Sequence, residues 1–288
     1  MTIPPTGGPI EGIMIEIHRQ AYQSDLKDQE WKWLKPLVPA PSSKGMRGRP
    51  QEWPLREIVN GILYVLRSGC QWRLLPHDLP PWQTVYYHYR RWQLSGLWEK
   101  INTVLRERIR QREGREATPS AGIVDAQSVK TTLVKGQRGF DAGKKVNGRK
   151  RHIVVDTLGL LLLVLVTAAD VQDKPGAKQL LARLHQRLDL PRLQLLWADG
   201  SYGGNPFAQW VKTTFGWLWQ VVKRNGDTKG FLVLPRRWVV ERTFGWLNNY
   251  RRLSKDYEEL PHTSETFIYL AMSHLMLRRL AETNRFEQ

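Results

Sequence analysis

A mixed α/β sheet preceded by an all-helical unit is the fold class this 288-residue sequence predicts, on three observations. Up to about residue 112, apolar residues recur at helical spacing between short Pro/Gly stops. Beyond Pro119 the pattern changes to short, strand-like apolar runs bounded by Gly and Lys. Helices then follow strands in the order β-β-β-α-β-α-β-α, which fits a mixed sheet with three leading strands.

Taken in order, residues 1–25 read as a Pro/Gly-rich lead-in, without the basic and apolar regions of a signal peptide. A first helix is predicted over Leu26–Lys35, stopped by Pro36, Pro39 and Pro41. The stretch Pro41–Pro50 reads as a flexible basic loop. Leu55, Ile58, Val59, Ile62, Leu63 and Leu66 mark a helix that begins near Pro54 and closes at Ser68-Gly69. Two more helices follow, Trp82–Leu94 and Leu97–Arg110. Together they make a helical domain over 26–112, of the size of helix-turn-helix units. The helix Trp82–Leu94 carries Tyr86, Tyr87, His88, Tyr89, Arg90 and Arg91, an inventory suited to a DNA groove. Equally, Tyr86, Tyr89 and Trp92 can pack inward and leave the arginines in solvent.

A linker is placed at 113–119, and 120–288 forms the second domain. Ala121–Val129 reads as a strand and Lys135–Lys150 as a Gly- and Lys-rich loop. His152–Asp156 and Leu160–Thr167 read as a hairpin turning at Asp156–Gly159. A helix holds Leu180, Leu181, Leu184 and Leu188, and Leu193–Asp199 is a short apolar strand. Pro206–Thr214 and Leu218–Val222 read as helix and strand. Arg236–Leu253 reads as one long helix, with Val239, Val240, Thr243, Phe244, Leu247, Tyr250 and Leu253 on its apolar arc. Arg237, Glu241, Gly245, Asn248 and Arg252 line the opposite side. Thr266–Leu280 is a final amphipathic helix.

The net charge of +17 and pI of about 10.2 favour a polyanionic partner. Thirteen tryptophans beside 44 Lys+Arg fit nucleic acid better than a membrane, since rings and guanidinium planes stack on bases. The basic excess is no detachable tail: residues 1–116 carry 18 Lys+Arg against 12 Asp+Glu, and 117–288 carry 26 against 15. A single cysteine, Cys70, excludes an intramolecular disulfide and a zinc site with two Cys ligands, and points to a reducing cytoplasm. The longest apolar run, Leu158–Ala169, is too short to span a bilayer.

Three acids stand where acids are conspicuous: Asp125 inside a strand, Asp199 at the end of one, and Glu241 on the polar side of a helix. Functional groups of α/β sheets collect at strand ends. Carboxylates meeting there would bind hard divalent cations, two of which can drive an in-line phosphoryl displacement. Each acid also has a plain structural role open to it. Asp125 can cap a turn or pair with Lys130, Asp199 can be a turn residue before Gly200-Ser201, and Glu241 can pair with Arg237 or Arg242. Asp156 reads as a hairpin-turn residue, and Asp170 and Asp173 as loop or helix-cap acids.

The runs Asp125-Ala-Gln-Ser-Val-Lys-Thr, Gly139-Phe-Asp-Ala-Gly-Lys-Lys and Arg149-Lys-Arg-His-Ile-Val-Val-Asp-Thr-Leu-Gly resemble the insertion-sequence transposases of the IS5 family. Trp197-Ala-Asp-Gly-Ser-Tyr and Arg237-Trp-Val-Val-Glu-Arg-Thr-Phe-Gly-Trp-Leu-Asn continue the match in order. Gly61-Ile-Leu-Tyr-Val-Leu-Arg-Ser-Gly-Cys-Gln-Trp-Arg-Leu-Leu-Pro and Trp82-Gln-Thr-Val-Tyr are similar to that family's helical N-terminal domain. The resemblance runs from about residue 26 to 281. It implies an RNase H-like core with a DDE triad at Asp125, Asp199 and Glu241, spaced by 74 and 42 residues. The second spacing leaves no room for the large β insertion of some relatives. Of the wider group's Tyr-x2-Arg-x3-Glu-x6-Lys signature, Arg237 and Glu241 match, whereas Leu234 and Asn248 stand at the Tyr and Lys positions.

The function so implied is a DNA transposase using two Mg²⁺ ions, with Mn²⁺ able to substitute. It would cut at terminal inverted repeats and join the 3′-OH ends to target DNA as a homodimer on the DNA, in the bacterial cytoplasm at the nucleoid. Lys130, Lys144, Lys145, Arg149, Lys150, Arg237, Arg242 and Arg252 are the expected phosphate contacts, and Arg90 and Arg91 the contacts of the helical domain. A catalytically silent DNA-binding derivative and an RNA-directed nuclease of the RNase H type are the competing readings.

Overall fold

A computed structural model describes residues 19–40, 52–132, 135–222 and 235–282; for 235–237 the backbone alone is described. The basic loop Pro41–Pro50, Leu234 and the Arg237 side chain therefore lie outside the described residues.

Four helices open the chain: α1 (Asp28–Leu34), α2 (Leu55–Ser68), α3 (Trp82–Leu94) and α4 (Leu97–Arg112). Helix α2 ends where the sequence places its stop, with Gly69 in the left-handed conformation at φ 74° and its N–H on the Val65 carbonyl. On α3, Val85, Tyr89 and Trp92 turn inward, and Tyr89 stacks on Phe267 with ring centroids 5.1 Å apart. Tyr86 and Tyr87 stay in solvent.

The sheet follows as β1 (Ala121–Lys130), β2 (Gly139–Asp141), β3 (Val146–Asp156), β4 (Leu161–Ala168), β5 (Leu195–Ala198) and β6 (Leu218–Val221). Strand β3 is antiparallel to β1 on one side and to β4 and β2 on the other; β5 is parallel to β1, and β6 to β5. An antiparallel trio followed by two strands parallel to the first is the layout of an RNase H-like core. Helices α5 (Asp173–Arg187) and α6 (Asn205–Phe215) intervene before β5 and β6; α7 (Pro235–Asn248) and α8 (Pro261–Ala281) complete the chain.

The two sheet faces are covered differently. Val124, Val154, Leu163 and Leu165 pack on α5 and α6 through Leu180, Leu181, Leu184, Phe207 and Val211. Ile123, Ile153, Val155 and Val164 share a cluster with α7, α8 and the N-terminal helices, including Ile62, Tyr89, Leu105, Phe244 and Phe267. Thus one core runs across the segment 113–119, and Arg110, at the end of α4, pairs with buried Asp156 at 2.6 Å. Asp156 also accepts the N–H groups of Leu158 and Leu160, both at 2.9 Å, which fixes the β3–β4 turn. Gly159 needs its positive φ of 81° there, and a Cβ would press on Thr243 and Trp246.

Three elements differ from expectation. The stretch 135–150 is loop only in part: residues 135–138 are irregular, but Gly139–Asp141 and Val146–Lys150 pair as β2 and the start of β3, with Lys144 and Lys145 in the turn between them. The helix expected over 236–253 stops at Asn248, and the chain re-forms a short 3-10 turn at Arg251–Leu253. Helix α8 is not amphipathic; it is buried on nearly all sides from Ser264 to Leu277 because the N-terminal helices cover the side the sheet does not. Among the described residues no helix is long and apolar enough to cross a membrane.

Candidate active site

Strand alternation decides where the acids point. In the parallel β1–β5 ladder Ile123 is level with Trp197, so Asp125 and Asp199, each two residues on, lie at the same height and on the same face. That is the face under α7. The two aspartates line one cleft with Ile123, Val124, Trp197, Ala198, Val222 and Val240. Both are half-buried.

The carboxylates are already oriented. Asp125 accepts the Ala126 N–H at 2.7 Å. Asp199 begins the 3-10 turn Gly200–Tyr202 and accepts the Ser201 N–H at 2.9 Å and the Ser201 hydroxyl at 2.5 Å. Asp199 is thus a turn residue as well as a cleft residue, and the two roles are compatible because a carboxylate has two oxygens and about four lone-pair sites. Tyr202 is buried, with no partner for its hydroxyl among the described residues. Burial, then the charges of Asp125, Asp173 and Asp199, holds that phenol well above its ordinary pKa. A phenol kept neutral beside three acids leaves the negative charge on the aspartates.

Glu241 stands on α7, the helix over this region. That helix is fixed to the β3–β4 turn along one flank: Arg242 donates to the Leu158 carbonyl at 3.0 Å and Thr243 to the Gly159 carbonyl at 2.8 Å. Val240, beside Glu241 in sequence, lines the aspartate cleft, and Glu241 itself is exposed on the flank it shares with Gly245 and Asn248. Among the described residues no three His, Cys, Asp or Glu side chains stand close enough together to hold a metal ion. Two aspartates share a cleft; the glutamate flanks it.

The expected basic contacts divide sharply. Lys130, Lys144, Lys145 and Arg91 are exposed. Arg149 is not available to DNA: it is buried, and its guanidinium serves Asp256 at 3.1 Å and the carbonyls of Gln137, Glu258 and Glu259. Lys150 is buried between Asp141 at 3.2 Å and Asp173 at 3.1 Å. Arg252 is buried too, because the helix ends before it; it binds Glu258 at 2.7 Å and the Cys70 carbonyl at 3.0 Å, over the Phe267 ring. Arg242 is sandwiched between Trp238 and Trp246, 4.6 and 4.7 Å from their centroids. Arg90 joins Gln93 and stands 3.2 Å from His262, tying α3 to the start of α8. Arg149, Lys150 and Arg252 thus serve the fold rather than a phosphate, while Arg242 and Arg90 are half-buried in their packing contacts.

The hub of Asp141 escaped sequence reasoning. Burial alone would raise its carboxyl, but hydrogen bonds from Ser128, the Lys144 N–H and Lys150, with the Lys150 charge, bring it down to about 2. The only signal in the sequence was the three-residue spacing from Asp141 to Lys144, which suits an aspartate closing its own turn.

The family model described as "Transposase DDE domain" matches residues 116–276. A second, described as "Putative transposase of IS4/5 family (DUF4096)", matches residues 26–102. The Burkholderia cepacia "Insertion element IS402 uncharacterized 16.2 kDa protein" is 28% identical over 109 residues, which cover 36% of this chain and 72% of that protein. The "Putative transposase for insertion sequence element IS402" of the same organism is 27% identical over 128 residues, covering 43% of this chain and 60% of that one. The "Crystal structure of the Mos1 mariner paired end complex with Mn" aligns over 83% of this chain and 80% of its own, at 12% identity and a TM-score of 0.30.

Proposed function

This chain belongs to the DDE-domain transposase family, and from that premise we propose that it cuts DNA at the terminal inverted repeats of its insertion sequence and joins the freed 3′-OH ends to target DNA. The observation that carries the reading is the pair Asp125 and Asp199, level with each other on adjacent parallel strands and facing the helix that bears Glu241.

The family implies a divalent metal, and the donors fit one. All three side chains offer hard carboxylate oxygens, and Mg²⁺ is commonly held by one or two carboxylates together with water and substrate phosphates. Asp125 and Asp199 supply the two, and Glu241 is assigned as the third ligand of a two-ion site that Mn²⁺ can also fill. Bound there, the ions would place positive charge on the phosphoryl oxygens and acidify the attacking hydroxyl. The chain's own part is to hold the reacting groups in line. In cleavage a water oxygen attacks phosphorus and the P–O3′ bond breaks, leaving a 3′-OH. In joining, that hydroxyl attacks a target phosphorus and displaces a second 3′ oxygen.

Phosphate contacts fall to the exposed Lys130, Lys144 and Lys145, and reading of the repeats to the helical residues 26–112 through the open side of α3, where Tyr86, Tyr87 and Arg91 face solvent. Cutting two ends together calls for a homodimer on the DNA, working at the nucleoid of the bacterial cytoplasm.

The test is cleavage and strand transfer by purified protein on duplexes carrying the repeats that flank its gene. Asp199→Asn is expected to lower turnover by about 10²-fold or more, the scale of losing a principal electrostatic contact. Near-wild-type turnover in that variant would sink the triad assignment. DNA binding with no cleavage under any divalent metal would instead favour the silent, binding-only reading.

A further inference from the structure

We propose that Lys144, carried over the edge of β1 just past the end of the β5 ladder by a curled β2–β3 hairpin, grips the phosphate of the DNA strand lying at Asp125 and Asp199. The inference rests on the transposase reading and singles out one of its lysines for the reacting phosphate.

Strand β1 has an open edge beside the acids. The Ser120 carbonyl accepts from Gln194 and Leu195 at 2.9 and 3.3 Å, so even-numbered positions of β1 turn their backbone groups toward β5. The β1–β5 ladder stops at Ile123 and Trp197, and β5 itself ends at Ala198. Ala126 therefore projects beyond the ladder. Its N–H goes to the Asp125 carboxylate, and its carbonyl accepts from Lys144 Nζ at 3.1 Å.

The hairpin is built to deliver that ammonium. Asp141 accepts the Lys144 N–H at 3.1 Å, closing the turn, and takes hydrogen bonds from Ser128 and Lys150. Ser128 and Lys150 are cross-strand partners on the face under α5, so the hairpin folds back over that face. Gly148 permits the close approach of β1 and β3 there: a Cβ would run into the Val129 carbonyl. Lys144 reaches Ala126 across β1 with an exposed side chain. One ammonium proton holds the strand edge; two remain for an anion. A positive charge fixed on the carbonyl of Ala126, the residue after Asp125, suits a phosphate diester, which brings the negative charge.

Two measurements test it: binding of a duplex oligonucleotide in EDTA across a salt series, and Mn²⁺-dependent nicking of supercoiled plasmid. Lys144→Ala is expected to reduce the log–log salt slope by about one and to slow nicking by ~10²-fold, with an unchanged melting temperature. Lys144→Arg should restore the slope and most of the nicking, while Lys212→Ala, at an exposed lysine of α6, should nick within about twofold of wild type. Wild-type slope and nicking in Lys144→Ala would overturn the inference alone. So would a lowered melting temperature that arginine does not rescue, since that marks a prop for the hairpin. A wild-type protein that binds no duplex DNA would overturn the transposase reading, and this inference with it.

Discussion

Two places in the sheet face the same problem and solve it oppositely. Along the outer edge of β4 the backbone groups have no further strand to meet, yet three of them find a buried side chain. Arg106 donates to the Leu161 carbonyl at 3.1 Å, and Val164 and Val166 donate to Tyr269 and Glu265 at 3.4 and 2.9 Å. On the edge of β1 beyond its ladder with β5, Ala126 is finished by Asp125 and Lys144, which reach solvent. A backbone group left unmade costs roughly 1–3 kcal/mol at the buried β4 edge, whereas water can replace a lost cap at the exposed edge of β1. The difference is in what remains afterwards. Buried caps spend their polarity on the fold, whereas the caps at β1 keep charge turned toward solvent.

The largest effect that would break this contrast is a stability loss at the closed edge. Glu265→Ala strands the Val166 N–H and removes the partner of Arg183, so denaturant unfolding should show a loss of about 1–3 kcal/mol with turnover of the folded protein unchanged. Reduced turnover without reduced stability would erase the distinction.

Acid sharpens the comparison. Burial holds His152 at about 4 and His274 at about 3, so both are neutral in the fold but protonate near 6.5 once unfolded. Depressed histidine pKa values mean that the stability is fully present above about pH 6.5 and is lost as pH falls toward 4 and 3, by roughly 2 kcal/mol per histidine at pH 5. Asp141, held at about 2, remains ionised there, so the hairpin keeps its anchor. Melting at pH 7.5 and pH 5 should show the drop, and His274→Gln should shrink it. An unchanged pH dependence in that variant would place the acid sensitivity elsewhere.

The smallest effect concerns Gly245. A Cβ there meets nothing within 4 Å, and leucine gains about 0.8 kcal/mol of helix propensity over glycine. Gly245→Leu should melt at or slightly above the wild-type temperature while DNA binding weakens several-fold, because the side chain enters the space beside Glu241. Full binding affinity would leave that flank of α7 out of the DNA path.

Much of this fold was legible because its signals are local. Helix α3 has the limits its prolines and Gly96 imply, and the Asp156–Gly159 turn is where the sequence puts it. The aspartates were readable from strand polarity, since an acid following Ile123-Val124 or Leu195-Leu196-Trp197-Ala198 needs a reason. Charge was read least well. Arg149-Lys150-Arg151-His152 looks like a DNA-facing cluster, yet all four are buried, alternating between the Leu253–Glu259 segment on one face and Asp141, Asp173 and Thr167 on the other. Composition counts a cation in the same way whether or not an acid is folded against it. Asp256 and Glu258, a hundred residues away, supply that information only in three dimensions. Likewise the Gly/Lys-rich 135–150 read as loop because the β2–β3 pairing rests on tertiary contacts such as those of Asp141 with Ser128 and Lys150, which periodicity does not reveal.

The central claim is that the carboxylates over the open end of β1 and β5 are where metal and DNA meet. Iron-directed cleavage tests it most directly: Fe²⁺ with ascorbate and peroxide, in protein free of other metals, cuts the backbone next to a bound ion. The account predicts Mg²⁺-suppressible cuts beside Asp125, Asp199 and Glu241, all lost in Asp199→Asn. Cuts clustered instead around Asp141 and Asp173, or around Asp256 and Glu258, and persisting in that variant would contradict it.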